Sequence, residues 1–134
     1  AVIRNPLDRF ISMSSKYRRI FTLDKQEDIK SILEFLTKIS IQHDHLDNHF
    51  QRMSYLLTDK QGILVPIDTF VKFESISKIP ELLNIPGKLP TINVGRHVRY
   101  VKELFAIEPE LENKVREVYA SDFTLYEELI KNAI

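Results

Sequence analysis

The stretch Arg4-Asn5-Pro6-Leu7-Asp8-Arg9-Phe10-Ile11-Ser12 holds the residue types best suited to binding an anion. An arginine closing an apolar run is followed at once by Asn5-Pro6, a strong helix start. Asparagine is a good N-cap, and proline is tolerated at the first helical position. A helix N-terminus presents free N–H groups and a partial positive charge, which suit phosphate or sulfate. Arg4 adds a bidentate donor pair. Ser12 lies seven residues beyond Asn5, about two turns on, along the side that carries Asp8 and Arg9. Its hydroxyl can reach an anion on that face. A plainer reading competes: an arginine in a surface ion pair and a solvated serine.

Other places in the chain also concentrate reactive side chains. His43, Asp44, His45, Asp47 and His49 are dense enough to raise the question of a metal. Their spacing matches no tight zinc signature, polar loops collect such residues freely, and no metal is expected. Lys72 and Glu74 stand at the end of a strand-like run, suited either to lining a cleft or to surface ion pairs. Arg96 follows a segment, Ile85–Gly95, with two prolines and two glycines; it is a loop arginine near a ligand or simply an exposed one. The absence of cysteine excludes disulfides, thiolate metal sites and a cysteine nucleophile.

The elements that must carry these groups follow from apolar spacing. Ala1–Arg4 reads as the end of a buried strand, and Leu7, Phe10, Ile11, Tyr17 and Phe21 as the buried face of the helix that follows. Asp8, Arg9, Ser12, Lys16 and Arg19 fall on its other side. A second helix spans about residues 25–40, capped by Asp24, with Ile29, Ile32, Leu33, Leu36 and Ile39 as its stripe. Gln42–His49 reads as loop. Ser54–Leu57 and Ile63–Val65 flank a turn at Asp59-Lys60-Gln61-Gly62, and Thr69–Phe73 reads as a strand. Ser75–Asn84 is expected to be helical with a kink or restart at Pro80, and Tyr100–Phe105 to be a short helix. Pro109–Ala120 and Asp122–Ile134 complete the helices, the last with Phe123, Tyr126, Leu129, Ile130 and Ala133 as its apolar face.

The fold class this predicts is α/β, mainly helical with few strands. A chain of 134 residues is one domain, or a piece of one, and can bury a real core. Its 43% hydrophobic and 28% charged content is that of a globular protein rather than a disordered one. With 19 basic and 19 acidic residues, bulk electrostatics gives no reason to expect nucleic acid or an anionic membrane as partner. No apolar run approaches the roughly 20 residues needed to span a bilayer, and no signal peptide is visible.

The Arg4–Ser12 segment resembles the 3′-phosphate-binding motif of sulfotransferases that use 3′-phosphoadenosine 5′-phosphosulfate (PAPS), and is most similar to the carbohydrate sulfotransferase branch. That motif runs Arg, Asn or Asp, Pro, then Arg, then Ser eight residues after the first Arg. Three further segments are similar, in the family's order. Asp47-Asn48-His49 resembles an aspartate-x-histidine segment, and Phe70-Val71-Lys72-Phe73-Glu74-Ser75 a strand ending in an aromatic, Glu, and Ser or Thr. Tyr119-Ala120-Ser121-Asp122-Phe123 resembles a C-terminal tyrosine-x-x-aspartate-phenylalanine helix. The likeness thus covers nearly the whole chain.

The resemblance implies a P-loop-like sulfotransferase fold, of which this would be the C-terminal, mainly helical portion. It implies PAPS as donor, with Arg4 and Ser12 on its 3′-phosphate, Asn5 and Pro6 as the cap, and Arg9 as a support. His49 would stand near the acceptor, a carbohydrate, and Arg96 in a loop that closes over the nucleotide. The activity implied is in-line sulfuryl transfer to a hydroxyl or amine, a matter of positioning and charge stabilisation. For a bacterial protein this would place the chain in the cytoplasm, for a eukaryotic one in the Golgi lumen. Two features depart from the pattern. Met53 stands where the family often has Gln, four residues after the histidine. The glycine-rich loop that cradles the 5′-phosphosulfate is missing: glycines stand only at positions 62, 87 and 95, and none opens such a loop. In the family that loop, and usually the catalytic base, precede the Arg4 segment. The chain alone is therefore expected to be inactive, as a fragment of the enzyme; the alternative is a non-catalytic helical binding module that kept the scaffold.

Overall fold

Two short strands and the helix between them set the frame on which the Arg4–Ser12 segment sits. The computed structural model describes residues 1–17, 31, 49–90 and 98–134. β1 (Val2–Ile3) pairs in parallel with β2 (Val71–Lys72), with Val2 opposite Val71 and Ile3 opposite Lys72. The pairing extends one residue back on each side, where Val71 N donates to Ala1 O at 2.8 Å and Ala1 N to Thr69 O at 2.7 Å. On its other edge β2 meets Ile134, whose N donates to Phe70 O and whose O accepts from Lys72 N. The strand expected over Thr69–Phe73 is present, shorter than its apolar run. Ile3 and Val71 are both buried, on opposite faces of the pair, since Ile3 stands opposite Lys72 and Val71 opposite Val2.

α1 (Pro6–Tyr17) begins as its sequence dictates. Asn5 Oδ1 accepts from Leu7 N at 2.9 Å and from Asp8 N at 3.4 Å, while Arg9 N closes the first backbone bond on Asn5 O. Phe10, Ile11 and Met13 face the core and Leu7 packs at its edge. Ser14 is buried beside them, its hydroxyl without a hydrogen-bond partner among the described residues; the sequence pattern did not foresee that Met13 and Ser14 face inward. Phe21 and the helix expected over 25–40 lie, but for Ser31, outside the described residues.

α2 (Met53–Leu57) replaces the extended arm that the sequence suggested before the Asp59–Gly62 turn. The turn itself is there. Asp59 Oδ1 accepts from Gln61 N and Ile63 N, Gly62 N donates to Asp59 O, and Thr58 bridges to Leu64. After β2 the chain makes a 3-10 helix (Phe73–Lys78) and restarts as α3 (Ile79–Leu82), with Pro80 in its first turn. α3 ends in a Schellman motif built on asparagine. Asn84 takes a left-handed φ of 51° while Ile85 N donates to Pro80 O and Asn84 N to Glu81 O.

α4 (Val98–Ile107), α5 (Pro109–Val118) and α6 (Ala120–Leu129) close the molecule against α1. Val101, Leu104 and Phe105 on α4, and Leu111, Val115 and Val118 on α5, recur at helical spacing and are buried. Phe10 lies at the centre, its ring 6.4 Å from that of Phe105 and 6.1 Å from that of Tyr119. Among the described residues the architecture is α/β, mostly helical, with a two-stranded parallel sheet. No helix among them is long and apolar enough to cross a membrane.

Candidate anion-binding site

Where β1 gives way to α1, a cleft of about 280 Å³ opens, lined among the described residues by Arg4, Arg9, Ser12, Met13 and His49. Three residues singled out in the sequence, Arg4, Ser12 and His49, are thus brought together from the two ends of a 46-residue span. Arg9 joins them. Two guanidinium groups, a hydroxyl and an imidazole face one space with no carboxylate among the described lining residues. That donor set fits a phosphate or sulfate and disfavours a cation.

Arg4 is held against a ring. Its guanidinium lies over the Phe73 ring, 4.2 Å from the centroid, and pairs with no carboxylate among the described residues. A guanidinium over a ring face keeps N–H donors that point away from the ring, where an anion can take them. The sequence reading placed Phe73 at a strand end and gave it no part in the anion site. The free N–H groups expected at the start of α1 are another matter, because Asn5 already takes those of Leu7 and Asp8 and proline has none at position 6. Anion binding in this cleft rests on side chains, with the helix end contributing its dipole alone.

Arg9 stands deeper. It donates from Nη1 to the Gln51 carbonyl at 2.7 Å and lies 3.8 Å from the Asp122 carboxylate, which is almost wholly buried. Sequence spacing placed Arg9 on the outer side of α1, yet its side chain is only 21% exposed. The segment after His49 covers it.

That segment is secured from the corner where α5 meets α6. The Tyr119 hydroxyl donates to Phe50 O at 2.7 Å, and the Arg52 guanidinium donates to Val118 O at 3.1 and 3.2 Å. The Asp122 carboxylate accepts from Met53 N at 2.6 Å, Ser54 N at 2.9 Å and Ser54 Oγ at 2.8 Å, capping α2 from a remote helix. Burial pushes the Tyr119 phenol well above its ordinary range; Arg9 and Arg52 oppose the shift and Asp122 adds to it. Tyr119 and Asp122 appeared in the sequence as a spaced pair without an assigned task. Tyr119 stands at the break between α5 and α6 and Asp122 in the first turn of α6, so no helical-face spacing marks them as a pair.

The remaining candidates are placed elsewhere. Lys72 and Glu74 do not line the cleft. The Met53 side chain is buried, and Gln51 reaches Arg9 through its carbonyl oxygen. Arg96, His43, Asp44, His45 and Asp47 lie outside the described residues. Among the described residues no group of histidines and carboxylates gathers as a metal site would. No family model, no curated protein and no solved structure matches this chain.

Proposed function

We propose that this chain forms the 3′-phosphate-binding part of a PAPS-dependent sulfotransferase with a P-loop-like fold, acting on a hydroxyl or amine of a saccharide. The observation that carries the reading is the convergence of Arg4, Ser12 and His49 on one cleft that contains donors and, among its described lining, no carboxylate. The motif that resembles a 3′-phosphate site and the histidine that resembles an acceptor-side residue come from separate stretches of sequence. Their meeting in one cleft supports both assignments. At about 280 Å³ the cleft falls just below the roughly 300–1,000 Å³ of small-molecule sites. It suits a phosphate with its sugar rather than a whole donor.

In this reading the nucleotide supplies the sulfuryl group, and the chain's own residues supply placement. Arg4, over the Phe73 ring, binds two phosphate oxygens. The Ser12 hydroxyl donates to a third from the next turns of α1. Arg9, anchored to Gln51 O, adds positive charge behind them. Fixing the 3′-phosphate fixes the far end of the donor, which is the entropic part of an in-line transfer. His49 faces the same space and is assigned to the acceptor side. No residue here is assigned as catalytic base.

Titration with 3′-phosphoadenosine 5′-phosphate tests the reading, with adenosine 5′-phosphate as the control lacking the 3′ group. Binding of the first, at least about tenfold weaker binding of the second, and a similar loss in Arg4→Ala are expected, since a charge-assisted bidentate contact is worth about 1.5–3 kcal/mol. Equal affinity for the two nucleotides, or an Arg4→Ala variant that binds as the parent does, would sink it. A second reading, a binding module that kept the scaffold, is favoured by the three glycines, none of which opens a donor loop. It predicts the same nucleotide binding with no sulfuryl transfer when the chain is supplied with PAPS and acceptor saccharides, even as part of a longer polypeptide.

A further inference from the structure

Five consecutive residues, Phe50 to Ser54, are each tied to a group outside the run, through Tyr119, Arg9, Val118 and Asp122. Four of the five ties end on one short corner, Val118–Asp122. None of that corner's residues lines the cleft, whereas His49, the residue just before the run, does. The corner therefore touches the site only through what it holds.

Holding α2 alone would not need this arrangement. A helix start is ordinarily capped by its own N-cap side chain, but α2 has Arg52 at that position, with no side-chain cap bond. The cap comes instead from Asp122, 68 residues along the chain from Ser54. Burying a carboxylate is costly unless its oxygens are satisfied, and Asp122 is satisfied by two amides, one hydroxyl and the nearby Arg9 guanidinium. A local cap would fix one helix end. A carboxylate shared by α2, α6 and Arg9 registers three elements at one point: α6, α1, whose residues line the cleft, and α2, whose lead-in carries His49.

We infer that Asp122 and Tyr119 are positioning residues of the cleft, setting where His49 and Arg9 stand relative to Arg4 and Ser12. Asp122 fixes the two amides that start α2 and steadies Arg9. Tyr119 fixes the Phe50 carbonyl one residue from His49. Neither touches a ligand. The inference rests on the nucleotide reading of the cleft only in its affinity arm, because the placement of His49 can be read without any ligand.

Two variants and two measurements decide it. Asp122→Asn keeps one acceptor but turns an amide toward the Met53 N–H or Arg9, donor against donor. Tyr119→Phe removes one hydroxyl and leaves its ring in the core. In each variant, with helical circular dichroism and amide dispersion like the parent's, the His49 ring resonances without ligand should move. Affinity for 3′-phosphoadenosine 5′-phosphate should fall about tenfold in Asp122→Asn and about threefold in Tyr119→Phe, the range set by losing charged and neutral hydrogen bonds. Electrostatics alone has the opposite sign. Removing a carboxylate beside Arg9 leaves the cleft more positive and would tighten anion binding. Unmoved His49 resonances, or binding unchanged or tighter in a folded variant, overturns the inference. Should Asp122→Asn fail to fold, Tyr119→Phe decides on the same criteria. Should the parent itself not bind the nucleotide, the nucleotide reading falls, and the His49 resonances still decide the positioning role.

Discussion

Among single side chains, Tyr119 combines a buried ring, packed on Phe10, with a hydroxyl committed to the Phe50 carbonyl. Its phenol is held above the ordinary 10.0, chiefly by burial, and a phenolate there would lose the hydrogen it donates. In the unfolded chain the group ionises near 10.0; in the folded chain it stays protonated to higher pH. Its stabilising contribution is thus complete below pH 10.0 and is lost as pH rises toward the folded value. Stability measured by urea unfolding should fall above that pH by up to about 1.4 kcal/mol per unit more in the parent than in Tyr119→Phe. Parallel profiles for the two proteins would refute this. Asn5 invites a simpler check: Asn5→Ala removes the acceptor for Leu7 N and Asp8 N and should cost about 1 kcal/mol. Both residues illustrate what one sequence discloses. Asn5-Pro6 is a local signal and was readable, as were Arg4, Ser12 and His49 as types. The phenol and the buried Asp122 owe their roles to partners 68 and 69 residues away, and no local pattern names those partners.

At the level of elements, helices long enough to show a period were legible and short ones were not. α5 repeats its buried residues at positions 111, 115 and 118, and Pro109 and the break at Tyr119 bound it much as the sequence implied. α2 has five residues, too few for a period, and its cap is supplied from α6. Read locally, it looked like the arm of a turn. α1 shows how a correct element can carry an incorrect face. Leu7, Phe10 and Ile11 were placed properly, while Arg9 was set outside because the chain that covers it arrives from Phe50–Ser54. The central role of α1 gives a firm expectation. Phe10 is fully buried and in ring contact with both Phe105 and Tyr119, so Phe10→Ala should destabilise the protein by about 3–5 kcal/mol. In a protein of typical marginal stability that is close to the whole margin. A thermal midpoint shifted by only a degree or two would mean that α1 is not the core's keystone.

For the molecule as a whole, the balance of 19 basic and 19 acidic residues sets how an anion must be captured. With no net charge there is no broad field to draw it in, and at physiological salt charges more than about 8 Å apart are largely screened. Attraction must come from Arg4 and Arg9 at contact range. The α/β class was legible because apolar spacing and the Asn-Pro start are local; the pairing of β1 with β2 was not, since it joins positions 2 and 71. That long-range pairing is what sets Phe73 under Arg4, so the cleft exists only in the assembled fold. Two consequences can be measured together. Lys114, on the outward face of α5 between buried Leu111 and Val115, should matter little: Lys114→Ala should change affinity for 3′-phosphoadenosine 5′-phosphate less than about twofold at 0.15 M salt, because the Debye length there is about 8 Å. Phe73→Leu keeps an apolar contact but removes the ring face under Arg4, and should weaken binding by about three- to fivefold, the weight of an exposed to half-buried cation–π contact. A large effect of Lys114→Ala would mean that capture is governed by the overall field. No effect of Phe73→Leu would mean that the guanidinium is placed by something other than the ring beneath it.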